Sequence, residues 1–156
     1  MRLTVLNGPN LNLLGTREPE IYGTATLGDI ERAVRERARS LGAQLEWQQT
    51  NEEGRFVELV QGLAGRADGA LINAAAFTHT SLAIRDAVLA VRVPFVEVHL
   101  SNIFAREPER RRSVLADLAV GVVAGFGVTS YLLALEALVR HLESRAGAGS
   151  APAERR

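Results

Sequence analysis

Acid–base chemistry in this chain has few side chains to work with. None of its 18 basic residues is a lysine and it has no cysteine. That excludes lysine imines, phosphate loops built on a lysine, thiolate nucleophiles and Cys-ligated zinc or iron–sulfur sites. The groups left for work near neutral pH are His79, His99, His141, Tyr22, Tyr131 and the carboxylates. Two spacings among them carry chemistry. Glu97 and His99 are two apart within an apolar run, so on a strand they point to the same side. Such a pair suits a carboxylate orienting an imidazole, half of a metal site, or an ion pair. Arg17 and Tyr22 share the short segment LNLLGTREPEIYG, Leu11 to Gly23. A free phenol ionises near ~10, and a guanidinium a few ångströms away favours the phenolate; lowering the pKa by about 2 units takes about 2.7 kcal/mol of differential interaction. A tyrosinate facing a histidine acid is the most economical acid–base couple this composition allows.

Short apolar runs alternating with helical patterns must hold these groups. Leu3–Leu6 reads as a first strand. Leu27, Ile30, Val34, Ala38 and Leu41 then recur at helical spacing between a cap at Thr26 and a stop at Gly42. Ala43, Leu45 and Trp47 alternate with polar residues, which predicts a strand near a sheet edge. Asn51, Glu52 and Glu53 open a second helix carrying Phe56, Leu59, Val60 and Leu63. Gly69–Asn73 is a third strand, Ser81 caps a helix reaching Val91, and Phe95–Leu100 is a fourth strand. Ala119–Ala124 is a fifth, followed by a closing helix from about Thr129 to Ser144. Five strands alternating with helices predict an α/β, flavodoxin-like three-layer sandwich: a parallel sheet of order 2-1-3-4-5 with helices on both faces.

The 156 residues fit one domain, here residues 1–144, with residues 145–156 rich in Ala, Gly, Ser, Pro and Arg and expected to form a disordered tail. Zero formal net charge argues against a general nucleic-acid or anionic-membrane binder. The start lacks the apolar stretch of a signal peptide, and the uncharged run from Leu118 to Leu135 is broken by Gly121, Gly125 and Gly127 into strand, turn and helix. The expectation is a soluble, cytoplasmic protein.

In such a sheet, ligands bind beyond the carboxyl ends of the strands. That edge carries Asn7-Gly-Pro-Asn10 after strand 1, Asn73 and then His79 after strand 3, and Glu97-Val-His99-Leu-Ser101 at strand 4. Each element also has an ordinary reading: a turn, a structural histidine, and a solvated basic face for Arg106, Arg110, Arg111 and Arg112. His141, in the last helix, reads as surface. The residues alone leave three functional classes open: an acid–base enzyme, a metal hydrolase using Glu97, His99 and His79, and a non-catalytic flavodoxin-like binding module.

The segments LNGPNLNLLGTREPEIYG (Leu6–Gly23), INAAAFTHTSLAIRDA (Ile72–Ala87), VEVHLSNIFARE (Val96–Glu107) and GVVAGFGVTSYLLAL (Gly121–Leu135) resemble type II 3-dehydroquinate dehydratases over nearly the whole chain except the tail. The resemblance implies a flavodoxin-like subunit in a dodecamer of four trimers, with no metal or cofactor, that dehydrates 3-dehydroquinate to 3-dehydroshikimate. It implies Tyr22 as the base, Arg17 as the support of its phenolate, Asn10 as the holder of a water on the enolate oxygen, and His99 as the acid. It assigns Asn73, His79, Arg110 and the backbone amides at Leu100 and Ser101 to substrate binding, and Asp86 to a neighbouring subunit's site. One stretch departs from the pattern. After Arg106 the resemblance leads one to expect a stretch like REPFRHHS; this chain retains Arg110 but has Glu109 in place of the aromatic residue and Arg111 and Arg112 in place of the histidines. Near-normal chemistry with altered assembly or loop order is the expected consequence.

Overall fold

The computed structural model describes residues 1–16 and 19–149, apart from the side chains at 21 and 22. Its strands are β1 (Arg2–Asn7), β2 (Gln44–Gln49), β3 (Gly69–Asn73), β4 (Phe95–His99) and β5 (Gly121–Ala124). All pair in parallel, in the order β2-β1-β3-β4-β5. The helices are α1 (Pro19–Tyr22), α2 (Leu27–Ser40), α3 (Glu53–Gln61), α4 (Leu82–Val91) and α5 (Val128–Gly149), and short 3-10 turns cover 11–13, 75–79, 103–105 and 108–110. This is the flavodoxin-like sandwich expected of the sequence.

Strand alternation divides the core in two. Leu3, Val5, Leu71, Val96 and Val98 pack with α2 and α5 through Ile30, Val34, Tyr131, Ala134 and Leu138. Leu6, Ala70, Ile72 and Phe95 pack with α3 and α4 through Phe56, Val60, Ile84 and Val88. Wholly apolar central strands are what a parallel sheet buried on both faces requires. At its edge, β2 keeps alternate residues exposed, as its sequence alternation predicts.

Two caps match the sequence reading. The Thr26 hydroxyl accepts from Asp29 N–H while Asp29 accepts from Thr26 N–H, a reciprocal box that opens α2. Ser81 accepts from Ile84 N–H and opens α4. Other boundaries move. The helix expected from Asn51 starts at Glu53, because the Asn51 side chain is committed elsewhere, to Asn10 and Gln49. The last helix does not stop at Ser144: residues 145–149, assigned in sequence to a disordered tail, continue α5. Extending an established helix is far easier than starting one, and Ala146 and Ala148 offset the poor propensity of the intervening glycines. Residues 150–156, the rest of that tail, lie outside the described residues. Among the described residues no helix is long and apolar enough to cross a membrane.

Candidate active site

The carboxyl ends of β1, β3 and β4 open onto one cleft of about 710 Å³, counting its mouth. From the loop after β1 it takes Pro9, Asn10, Leu11 and Leu14. Asn73, Ala75, Ala76 and His79 come from the end of β3, and His99, Leu100, Ser101, Arg106 and Arg110 from the end of β4 and the turns beyond it. The volume suits a small polar metabolite.

The β1 loop is held from both sides. Gly8 N–H donates to the Asn73 carbonyl at 2.8 Å, tying β1 to β3 beyond the last strand pair. From β2, Gln49 Nε2 donates to the Gly8 carbonyl at 3.2 Å and to Asn51 Oδ1 at 3.0 Å, and Asn51 Oδ1 also accepts from Asn10 N–H at 2.9 Å. Asn10 has a left-handed backbone, φ 67°, which asparagine tolerates better than most residues. Gln49 and Asn51 escaped the sequence reading. Their signal was present as polar residues where β2 ends beside β1, but in a sequence that signal cannot be told from an ordinary wet strand end.

His79 closes the turn after β3. Its Nδ1 lies 2.7 Å from the Arg112 carbonyl, so that nitrogen carries the proton and Nε2 is left as an acceptor. Burial pushes the His79 pKa below the usual imidazole value, as do the charges of His99 and Arg110; the Arg112 carbonyl and Glu97 pull the other way. The ring is therefore neutral at neutral pH. Because this bond uses backbone, it does not depend on the Arg112 side chain.

His99 and Glu97 share the α3/α4 side of β4, and both are almost fully buried. His99 Nε2 stands 3.5 Å from Glu97 Oε1, an ion-pair distance when the imidazole is protonated, and is too long for a good hydrogen bond. Glu97 Oε1 accepts a short bond, 2.5 Å, from the Ser113 hydroxyl, whose oxygen accepts from Leu115 N–H and Ala116 N–H at 3.1 and 3.0 Å. Sequence reasoning missed Ser113, which lies sixteen residues away and joins Glu97 only through the fold. The carbonyls of His99 and Leu100 accept from Gly125 N–H and Gly127 N–H, which fixes the strand end carrying Leu100 and Ser101.

Arg110 pairs with Glu107, which also lies 4.0 Å from Arg106 Nε. The cleft mouth thus presents guanidinium groups for an anionic ligand. Asp86 is exposed on α4 and does not line the cleft of its own chain. Arg17 lies outside the described residues, as does the side chain of Tyr22, whose backbone belongs to α1. His141, expected at the surface, is half-buried in α5, and its Nε2 is shut off from solvent with no hydrogen-bond partner. Among the described residues no three His, Asp or Glu side chains gather closely enough to hold a metal ion.

A family model for class II dehydroquinase matches residues 1–139. The chain belongs to the class II dehydroquinase family. It is 60% identical over 142 residues to a 3-dehydroquinate dehydratase of Parasynechococcus marenigrum, spanning 91% of this chain and 97% of that one. It is 56% identical to a 3-dehydroquinate dehydratase of Geotalea daltonii, spanning 92% and 99%. Among solved structures it resembles the type II dehydroquinase of Propionibacterium acnes, with TM-score 0.85, 42% identity, and 89% and 96% of the two chains covered. Membership extends from β1 well into α5, so every element that borders the cleft is class II dehydroquinase structure.

Proposed function

We propose that this enzyme removes water from 3-dehydroquinate to give 3-dehydroshikimate, within aromatic amino-acid biosynthesis. The observation that carries the reading is the convergence of Asn10, Asn73, His79, His99 and Arg110 on one cleft of a chain so similar over its length to 3-dehydroquinate dehydratases.

The elimination needs three things. A C2 proton beside the C3 ketone must leave, the enolate so formed must be stabilised, and the C1 hydroxyl must depart as water rather than hydroxide. Tyr22, as its phenolate, takes the C2 proton, with the Arg17 guanidinium favouring that ionised form. Asn10 holds a water that hydrogen-bonds the enolate oxygen. The enolate then reforms the ketone, the C1–O bond breaks and the C1=C2 bond forms, while His99 gives its proton to the leaving oxygen. Because Nε2 of His99 faces inward to Glu97, Nδ1 is the nitrogen available for this transfer, and Glu97 orients the ring. His79, neutral, accepts from a substrate hydroxyl. Asn73 and the backbone amides at Leu100 and Ser101 bind further oxygens, and Arg110 meets the carboxylate.

The working assembly is a dodecamer of four trimers in which Asp86 reaches a neighbouring subunit's site, in the cytoplasm, with no metal or cofactor in the reaction. Leu82, Asp86 and Leu89 occupy one face of α4, and both leucines are exposed in the single chain, which favours a protein surface against that face.

The test is the ultraviolet rise of the conjugated enone on adding 3-dehydroquinate, with wild type and Tyr22→Phe in parallel. Wild type should give the rise, and the folded variant should be slower by roughly 10²- to 10⁴-fold, the range for loss of a positioned acid or base. A rise that survives in the variant keeps the reaction and discards the tyrosinate. No rise from folded wild type favours the binding-module reading.

A further inference from the structure

Asn7 and Asn73, the last residues of β1 and β3, are direct partners across the sheet. Both are buried, and both point to the face covered by α5. Between them stands the hydroxyl of Tyr131, from the first turn of α5, whose ring has no exposed surface and packs against Trp47 at 5.9 Å between centroids. Tyr131 O–H donates to Asn7 Oδ1 at 2.7 Å, and its oxygen accepts from Asn73 Nδ2 at 2.9 Å. Asn7 Nδ2 in turn donates to the Gln48 carbonyl at 3.0 Å, while Asn73 Oδ1 accepts from Ala75 N–H at 3.1 Å.

These bonds form a chain of single direction. A hydroxyl has one proton, and Tyr131 spends it on Asn7, so toward Asn73 it can only accept. That fixes which end of the Asn73 amide is nitrogen and which is oxygen. One N–H of Asn73 is thereby consumed, its oxygen is consumed by Ala75, and its second N–H remains for the cleft it lines. Ala75 is itself held in the left-handed region, φ 50°, an unfavourable conformation for a residue with a Cβ, at the start of the turn that ends in His79. The bond to Asn73 supports that turn.

We propose that Tyr131 is a positioning residue for substrate binding, fixing through Asn73 the amide N–H offered to the ligand and the turn that carries His79. This rests on the reading that Asn73 and His79 bind 3-dehydroquinate. The hydroxyl is suited to the task because burial holds its pKa above the usual phenol value, so it stays protonated over the working range.

Tyr131→Phe keeps the ring and deletes the hydroxyl, leaving Asn7 Oδ1 and Asn73 Nδ2 without this partner. The expected result is a KM for 3-dehydroquinate about tenfold higher with kcat within about threefold of wild type, the scale of one buried hydrogen bond. In an Asn73→Ala background the same change should raise KM no further, since its route to the substrate is gone. A purely structural role would lower the melting temperature and leave KM alone, and that result overturns the proposal, as does an additive double variant. If Tyr131→Phe does not fold, Asn7→Ala replaces it, because without that acceptor the hydroxyl no longer presents a fixed lone pair to Asn73. A several-fold KM rise then supports the proposal and an unchanged KM overturns it. An active wild type whose variants keep their KM overturns this assignment alone, whereas a folded wild type giving no enone overturns the functional reading and the assignment with it.

Discussion

Gly8 and Ala74 run so close at the carboxyl ends of β1 and β3 that a Cβ on Gly8 would lie 2.4 Å from the Ala74 carbonyl oxygen. The obstructing atoms are backbone, which cannot swing aside like a flexible side chain. Gly8→Ala must therefore push β1 and β3 apart where Asn7, Asn10 and Asn73 are set. An overpacking cost of about 1–3 kcal/mol is expected, read as a fall in melting temperature of about 2–4 °C for each kcal/mol. The loss of kcat/KM should exceed what the stability loss explains, because the displaced strands carry the site. An unchanged melting temperature would show that the contact relaxes freely.

Much of this architecture was legible in the sequence. Apolar strands separated by amphipathic helices dictated the parallel sheet, and strand order then brought Asn73, His79 and His99 to the edge that receives the loop after β1. The caps at Thr26 and Ser81 were readable because capping is local. What escaped depends on distant partners. Ser113 serves Glu97, Asn51 serves Asn10 rather than a helix start, and Tyr131 serves two asparagines on different strands. Nothing in local periodicity distinguishes a buried tyrosine that fills space from one whose hydroxyl sets the polarity of a network.

Ser113 supplies the bond that anchors Glu97, and two backbone N–H groups converge on its oxygen. Ser113→Ala leaves the almost fully buried Glu97 carboxylate without this donor, at an expected cost of about 1–3 kcal/mol. In the proposed mechanism Glu97 orients the acid His99, so kcat should fall roughly tenfold or more, in keeping with a misplaced proton-transfer group. Ser113→Thr keeps a hydroxyl at the same place and should restore most of the rate. A Thr variant as slow as Ala, with both folded, would show that the hydroxyl is not what matters.

His79 gives a pH dependence of definite sign. Its folded pKa lies below the ordinary imidazole value, so the unfolded chain takes up its proton first as pH falls. The stability associated with the neutral ring is present above about 6.5 and is lost as pH drops through that value toward the lower folded pKa. His79→Gln should therefore show a shallower fall in melting temperature between neutral pH and the acid side than wild type. KM in wild type should stay flat past the unfolded value and rise only once the folded ring protonates and Nε2 stops accepting. A steeper acid loss in the Gln variant would reverse the assigned direction.

Glu109 tests the departure from the pattern that the sequence resemblance led one to expect. It is exposed in the turn 108–110, next to Arg110 at the cleft mouth. In the single chain its charge therefore costs nothing by burial. An aromatic residue at this position would add to the exposed apolar surface that Phe104 already contributes, and apolar surface of that kind is stabilised only when another surface covers it. A carboxylate there removes that drive. The proposed assembly should accordingly dissociate at higher protein concentration in the wild type than in the Glu109→Phe variant, measured by light scattering over a dilution series. The rate per intact site should be nearly the same in both, because neither residue touches the reacting atoms. Identical dissociation of the two proteins would show that position 109 plays no part in assembly.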